Sequence, residues 1–303
     1  MRVRAPGKLV LTGAYAVLDG APAIVAAVDR YAVADPSRVA DCPIAEVRAA
    51  LGDEAAPEVD LRALQDPAGR KLGLGSSAAG VVAALAAKEL ARGGDPRDPR
   101  VRDRIFRSAR AAHARVQSGG SGLDVAASVY GGVLRYQLVA NEPAIRPVKL
   151  ARELVVATFA SAQSARTSEL RARVDAARSR YPAESAAMGR AMAETSLHAA
   201  ASLEAGDSLG YIRNANAFGT LLARLGSLAD APIVPPDWTE LARQALAAGG
   251  AFLPSGAGGG DVAVWLGVDR PSASFVARAA ILGLVSLPVS IDYGGVRPEP
   301  PIA

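Results

Sequence analysis

One short segment constrains this chain more than any other: Gly-Leu-Gly-Ser-Ser-Ala-Ala at residues 73–79, which runs directly into an alanine-rich stretch. Two glycines allow a sharp turn and a close approach to a ligand, and the alanines that follow favour a helix. The segment therefore predicts a tight loop that opens a helix. Because the first amides of a helix lack intrahelical partners and the dipole is positive there, such a loop can bind a phosphate. The hydroxyls of Ser76 and Ser77 could bond that phosphate or its metal ion.

The loop taken alone leaves an alternative open, since a turn followed by a serine N-cap gives the same letters without any ligand. It is neither a Walker P-loop, which needs Gly-Lys-Ser/Thr, nor a dinucleotide fingerprint, whose third glycine is missing. Lys71, just before the loop, is either a cation within reach of the bound anion or a surface lysine at a strand edge.

Composition limits the class of protein. The chain has 303 residues, half of them hydrophobic, so it can bury the core of one large or two medium domains. Its formal charge of +4 is scattered over apparent helices, which predicts a solvated surface and no nucleic-acid partner. Cys42 is the single cysteine, so an internal disulfide and a zinc cluster are excluded. No apolar run reaches the roughly 18 residues of a membrane span, and we expect a cytoplasmic protein that binds no membrane.

The N-terminal half reads as strands followed by helices. Residues 2–10 predict two short strand pieces broken by a Pro-Gly turn that exposes Lys8, and residues 35–67 predict strands and polar turns. Helices are expected from Ala78 to about residue 92 and over Pro99–Val116. A second glycine-rich turn at residues 117–124 ends in Asp124, which is either a first-turn carboxylate of the next helix or a group that faces a substrate hydroxyl.

The second half begins after a proline-rich, polar stretch at residues 141–149. It reads as strand, helices, strand, helix, strand, a pattern that predicts a split βαβ sheet with helices on one face. His198 is expected on the apolar side of its helix. A third glycine-rich loop, Gly256–Gly260, is too long for an ordinary hairpin turn and indicates a close approach of a ligand or of neighbouring backbone.

Together these motifs resemble the GHMP kinase superfamily over nearly the whole chain. Ala5-Pro-Gly-Lys-Leu-Val-Leu-Thr-Gly-Ala-Tyr-Ala-Val-Leu resembles its first motif, residues 73–79 its second, and Pro254-Ser-Gly-Ala-Gly-Gly-Gly-Asp its third. The Tyr-Ala-Val-Leu ending and the segment at residues 112–132 are most similar to phosphomevalonate kinases. Ser164-Ala-Arg-Thr is a looser match to a substrate-side turn. Ala14 replaces a glutamate of the first motif, so the role of that carboxylate must be filled otherwise.

The resemblance implies an α+β fold of two domains. The first, residues 1–148, would be a nucleotide- and substrate-binding domain of the S5-domain-2-like type, with a left-handed βαβ crossover against the general right-handed rule. The second, residues 149–303, would be a GHMP kinase C-terminal domain with a ferredoxin-like split βαβ.

The resemblance also implies an activity, in which ATP with Mg²⁺ donates its γ-phosphoryl to the phosphate of 5-phosphomevalonate. Lys8 and Asp124 would be catalytic, and Ser76 or Ser77 would contact the metal. The nucleotide would be bound by Lys71, Gly73, Leu74, Gly75, Ser76, Ser77 and Ala78. The acceptor would be bound by Lys8, His113, Gln117, Ser121, Ser255, Gly256, Ala257 and Gly258.

Three points stay open. His113 either contacts a phosphate or packs between helices. The acceptor could instead be mevalonate, or the chain could be a nucleotide-binding regulator without catalysis, as the loss of the carboxylate at Ala14 would allow. A monomer and a homodimer are both compatible with the sequence.

Overall fold

The computed structural model describes residues 1–117, 119–161, 163 and 167–299. Residues 164–166 of the looser substrate-side match lie outside the described residues. The chain forms two compact units. The first unit contains Met1–Leu9, Val25–Leu134 and the C-terminal residues from Ser290, and the second contains Val10–Ile24 and Arg135–Val289. The predicted domains, 1–148 and 149–303, are a different division of the chain, and they remain a prediction.

The chain up to residue 148 contains five strands and four α-helices among the described residues. They are β1 (Val3–Thr12), β2 (Ala23–Val39), α1 (Ala45–Leu51), β3 (Pro57–Asp60), α2 (Ser76–Ala91), α3 (Pro99–Val116), α4 (Leu123–Tyr130), β4 (Val133–Val139) and β5 (Glu142–Val148). The last strand of the chain, β10 (Arg297–Pro298), pairs antiparallel with β1. The sheet order is β10-β1-β2-β4-β5, with β3 paired to β2. The handedness of the predicted crossover stays a prediction.

β1 corrects the prediction of two strand pieces joined by a turn. It is one continuous strand, and Lys8 is 9% exposed within it. Gly7 is present because of a close approach: a Cβ at this position would lie 2.8 Å from both the backbone oxygen of Leu74 and a methyl carbon of Leu64. The glycine therefore lets the loop before α2 lie against the strand, and the expectation of an exposed Lys8 was wrong.

Residues 35–67 were predicted as strands and polar turns, and the structure has strands there together with an α-helix that the sequence did not predict. β2 continues to Val39, and α1 follows it as a seven-residue helix. So short a helix shows no clear periodicity in the sequence, and its stability comes from packing of its buried Val47 face against α2 and α3. The sequence also predicted a polar boundary at residues 141–149, where the structure has β5. Only one face of this strand is partly covered, which accounts for its polar sequence.

The second unit holds the remaining elements: β6 (Val155–Ser161), α5 (Thr167–Arg180), α6 (Pro182–Glu204), α7 (Ser208–Leu228), α8 (Pro236–Ala247), β7 (Ala251–Pro254), β8 (Val262–Gly267), α9 (Ala273–Ile281) and β9 (Leu284–Ser286). Their sheet has the order β7-β8-β6-β9, and each of these pairs is antiparallel. This is the strand order of a split βαβ, as predicted.

An aromatic cluster forms the core under this sheet. Phe252 and Phe275 stack edge to face at 5.5 Å between ring centroids, and Trp265 meets Phe275 at 4.8 Å. Such pairs stabilise a core beyond the area that they bury. His198 does not join this interior, because it lies on the exposed face of α6 while Met192 and Leu203 face inward. The expectation of a packed His198 was therefore wrong.

Candidate phosphate-binding site

The loop at residues 73–79 does open a helix. Gly75 is the N-cap of α2 in the left-handed conformation, with φ 74° and ψ 37°, and Ser76 is the first helical residue. No side chain among the described residues makes a capping hydrogen bond at this end. The first amides of α2 are therefore not satisfied by a serine cap, and the alternative that explained the motif without a ligand does not describe this helix.

Lys8 lies beside this helix end. Its backbone N–H donates to the carbonyl of Leu74 at 2.9 Å, and its Nζ donates to the carbonyl of Gly73 at 3.0 Å. A Cβ on Gly75 would come within 2.9 Å of Cγ of Lys8, so the lysine stem runs directly over the glycine. The strand thus delivers an ammonium group to the positive end of α2, where two sources of positive potential combine.

Asp124 lies in the first turn of α4, behind the left-handed Gly122. One turn further along the same face, the Ser128 hydroxyl donates to the carbonyl of Pro6 at 2.7 Å. This bond fixes α4 on β1 at Pro6. Lys8 follows Pro6 by two positions on the same face of the strand, and Asp124 precedes Ser128 by about one helical turn, so both residues flank this contact. The Oδ2 atom of Asp124 lies 3.7 Å from Nε2 of His113 on α3.

The other predicted residues of the first unit have structural partners or lie at the surface. Gln117 donates from Nε2 to Oε1 of the buried Glu46 at 2.9 Å. Ser121 accepts from the amide of Leu123 at 3.3 Å, at the start of α4. Lys71 is exposed in a bridge with Gln65. The link from Gln117 to Glu46 spans 71 positions, and no signal in the sequence could have found it.

The third glycine-rich loop belongs to the second unit and connects β7 to β8. Its base is buried, while its tip, Gly256–Gly258, is partly exposed. The amide of Ser255 donates to Val262 at 2.8 Å, and the amide of Gly259 donates to Ile233 at 3.0 Å. Tyr15, which the sequence did not single out, donates its hydroxyl to the carbonyl of Ala257 at 2.7 Å.

No group of three or more acidic, histidine or cysteine side chains in the described part of the chain could hold a metal ion by itself. Mg²⁺ keeps most of its ligands from water and phosphate and needs only one or two protein groups. The hydroxyls of Ser76 and Ser77, at the uncapped helix end, fit that role. The described helices include none that is long and apolar enough to cross a membrane.

Comparisons with known proteins identify the fold. The profile of the GHMP kinases N terminal domain matches residues 43–132. A solved protein from Listeria innocua superposes with a TM-score of 0.82 at 22% identity, covering 98% of each chain. The phosphomevalonate kinase of Streptococcus pneumoniae, in complex with phosphomevalonate and AMPPNP, gives a TM-score of 0.76 at 20% identity over 96% of this chain and 99% of that one. The fold is therefore that of the GHMP kinases.

A curated relative narrows the class. The phosphomevalonate kinase of a Streptomyces species is 30% identical, in an alignment that covers 96% of this chain and 97% of the relative. The chain belongs to the phosphomevalonate kinase family of phosphotransferases.

Proposed function

We propose that this protein uses ATP to phosphorylate 5-phosphomevalonate to 5-diphosphomevalonate, as a step of the mevalonate route to isoprenoids. The observation that carries the proposal is the position of Lys8, whose ammonium and stem lie on the uncapped N-terminus of α2. Its family membership supplies the acceptor, since the related enzymes are named for phosphomevalonate.

In this proposal the residues of the first unit position charge. The amides of Ser76, Ser77 and Ala78 bind nucleotide phosphate oxygens, and Lys8 leaves the carbonyl of Gly73 to contact the phosphoryl group in transfer. Positioning and charge stabilisation supply most of the rate in phosphoryl transfer, because little covalent chemistry is required of the protein. Mg²⁺, when bound with the nucleotide, neutralises part of the phosphate charge. Lys71 and the loop residues Gly73, Leu74 and Gly75 complete the proposed nucleotide contacts.

Asp124 has a different task from the base of an alcohol kinase. A phosphomonoester has a second pKa of about 6, so the acceptor is largely ionised near neutral pH and needs no strong base. Asp124 orients Lys8 and the acceptor in this mechanism. His113, Gln117 and Ser121 of the first unit, and the loop residues Ser255–Gly258 of the second, remain proposed acceptor contacts.

A coupled assay of ADP release tests the proposal. We expect release that depends on 5-phosphomevalonate, with kcat/KM at least about 100-fold higher than with mevalonate, because mevalonate lacks the acceptor phosphate. A preference for mevalonate would make the chain an alcohol kinase of the same fold. Nucleotide binding without release on either acceptor would support the catalytically inactive regulator instead.

A further inference from the structure

Tyr15 has a backbone conformation that non-glycine residues rarely adopt. Its φ of 61° and ψ of −51° place it at the centre of a γ-turn, and the amide of Ala16 closes that turn on the carbonyl of Ala14 at 2.7 Å. This kind of γ-turn is rare and strained. Strain of this sort persists only where the surroundings hold it, and it is common at functional sites.

The surroundings of Tyr15 do hold it. The amide of Val17 donates to the carbonyl of Gly13 at 3.0 Å, and that of Leu18 donates to Tyr15 itself at 2.9 Å. A Cβ on Gly13 would lie 2.5 Å from the backbone of Ala23, so the chain doubles back tightly here. The turn buries the tyrosine side chain, which is only 7% exposed, and brings its hydroxyl to the carbonyl of Ala257.

That carbonyl lies in the tip of the third glycine-rich loop. Both ends of the loop are fixed by backbone hydrogen bonds, at Ser255 and at Gly259, and the Ser255 hydroxyl also accepts from the amide of Val10 at 2.9 Å. Between them, the bond from Tyr15 is the only hydrogen bond that links Gly256–Gly258 to another described residue. Among the hydrogen bonds of the described residues, the one from the Tyr15 hydroxyl is therefore the bond that orients the Ala257 carbonyl.

Because the peptide group is planar, the bond to the Ala257 carbonyl also determines the direction of the Gly258 N–H. The peptide between Ala257 and Gly258 is trans, and in a planar trans peptide the C=O and N–H vectors point in opposite directions. When the carbonyl is held toward Tyr15, the N–H of Gly258 must point away from it. Burial raises the pKa of the Tyr15 phenol, and the nearby Arg171 offsets this only in part, so the hydroxyl stays a donor near neutral pH.

We infer that Tyr15 is a positioning residue that fixes the Ala257–Gly258 peptide so that the Gly258 amide is presented to an oxyanion of the bound acceptor. The inference rests on the proposed function for the identity of that acceptor, a phosphomonoester.

Tyr15→Phe tests the inference because it removes one oxygen and keeps the buried ring. The matched control is Tyr211→Phe, since Tyr211 is a buried tyrosine of the same unit whose hydroxyl is paired with that of Thr12 at 3.4 Å. In the active enzyme, KM for 5-phosphomevalonate should rise about fivefold in Tyr15→Phe, the size of one lost hydrogen bond, with the KM for ATP unchanged. Tyr211→Phe should leave both constants unchanged. An unchanged acceptor KM in Tyr15→Phe, or an equal rise in both variants, would overturn the inference.

A second measurement does not depend on activity. In the ligand-free protein, the ¹⁵N order parameter of the Gly258 amide should fall from about 0.85 to below about 0.6 in Tyr15→Phe and stay constant in Tyr211→Phe. A constant order parameter in both variants contradicts the inference. If the wild type releases no ADP with any acceptor, the proposed function fails, and the order parameters still decide the role of Tyr15.

Discussion

Two glycine-rich loops of this protein share a composition and differ in what the glycines do. In the first unit, Gly75 caps α2 and leaves space for the stem of Lys8. In the second unit, Gly258 leaves space for backbone, because its Cβ would come within 2.0 Å of the carbonyl oxygen of Ile233. One glycine admits a flexible charged side chain, whereas the other admits a rigid main chain.

The difference teaches how to read such loops. A glycine beside a flexible functional group can be substituted with modest loss of stability, and the damage falls on activity. A glycine against backbone has no neighbour that can move, so its substitution damages the fold. The comparison also separates the two forms of anion recognition proposed here, a cation with a helix dipole in the first unit and an oriented amide in the second.

Asp124→Ala carries the largest expected effect on activity. If the chemistry lies with the residues around α2 and α4, kcat should fall at least about 100-fold, in line with the loss of one transition-state contact. Steady-state kinetics with 5-phosphomevalonate and a thermal melt measure the two properties separately. A purified, folded Asp124→Ala enzyme with near wild-type kcat would remove the residue from the mechanism.

Paired alanine substitutions at the two glycines test the comparison itself. Gly258→Ala should lower the free energy of unfolding by about 3 kcal/mol, since it adds a left-handed backbone penalty to an overlap with Ile233. Gly75→Ala should cost only about 1 kcal/mol and yet lower kcat about tenfold, because the methyl group displaces Lys8. Denaturant titration and steady-state kinetics on both variants measure these effects. Equal losses of stability in the two variants, or a larger loss in Gly75→Ala, would contradict the comparison.

The C-terminal segment that begins at Ser290 makes the stability of the first unit depend on pH. Asp292 is buried, and it accepts from Arg297 at 2.6 Å and from the hydroxyl of Tyr31 at 2.6 Å. Burial by itself raises the pKa of the Asp292 carboxyl, but the hydrogen bonds from Arg297, Tyr31 and the Gly295 amide outweigh it and hold the pKa below its ordinary value. The charged carboxylate therefore contributes stability above the unfolded-state pKa of about 3.9, and that stability is lost as the pH falls further.

Asp292→Asn should consequently lower the free energy of unfolding by about 2 kcal/mol at neutral pH. The difference from wild type should shrink below about pH 4, where the wild-type carboxyl takes up its proton. Denaturant titrations at the two pH values measure it. A difference that does not change with pH would show that the charge of Asp292 adds nothing to the first unit.

The smallest effect concerns His113. Its Nε2 lies 3.7 Å from Oδ2 of Asp124, and His113→Gln removes one proposed acceptor contact, so KM for 5-phosphomevalonate should rise about fivefold while KM for ATP stays unchanged. His198→Gln is the matched control, because the second histidine is exposed on α6 of the other unit. An unchanged acceptor KM with a lowered kcat would instead assign His113 to the orientation of Asp124.

Much of the architecture could be predicted because its signals are local. The limits of α3 and β4 follow from caps, periodicity and turn residues. The second sheet has the predicted split βαβ order, but its edge strand β7 was not predicted, because the sequence there was interpreted as part of a glycine-rich loop. The prediction for β1 was wrong because a Pro-Gly pair usually indicates a turn. Here Gly7 instead leaves space for the backbone of Leu74, 67 positions away in the sequence. Long-range contacts of this kind have no local signature.

The candidate site likewise contains some residues that sequence motifs predict and others that depend on long-range contacts. Lys8, Asp124 and the loop at residues 73–79 were predicted from motif letters, and the structure shows what surrounds each of them. Tyr15 could not be found from the sequence, because its role depends on a bond to Ala257, 242 positions along the chain. The partner of Gln117 was hidden for the same reason, since Glu46 lies in a helix that local patterns did not predict.

Turnover of Lys8→Met tests the central claim most directly, with Lys88→Met at the opposite end of α2 as its control. The account predicts that ADP release with 5-phosphomevalonate falls at least about 100-fold in Lys8→Met and stays within about twofold of wild type in Lys88→Met, both proteins remaining folded. Equal turnover by the two variants would contradict it.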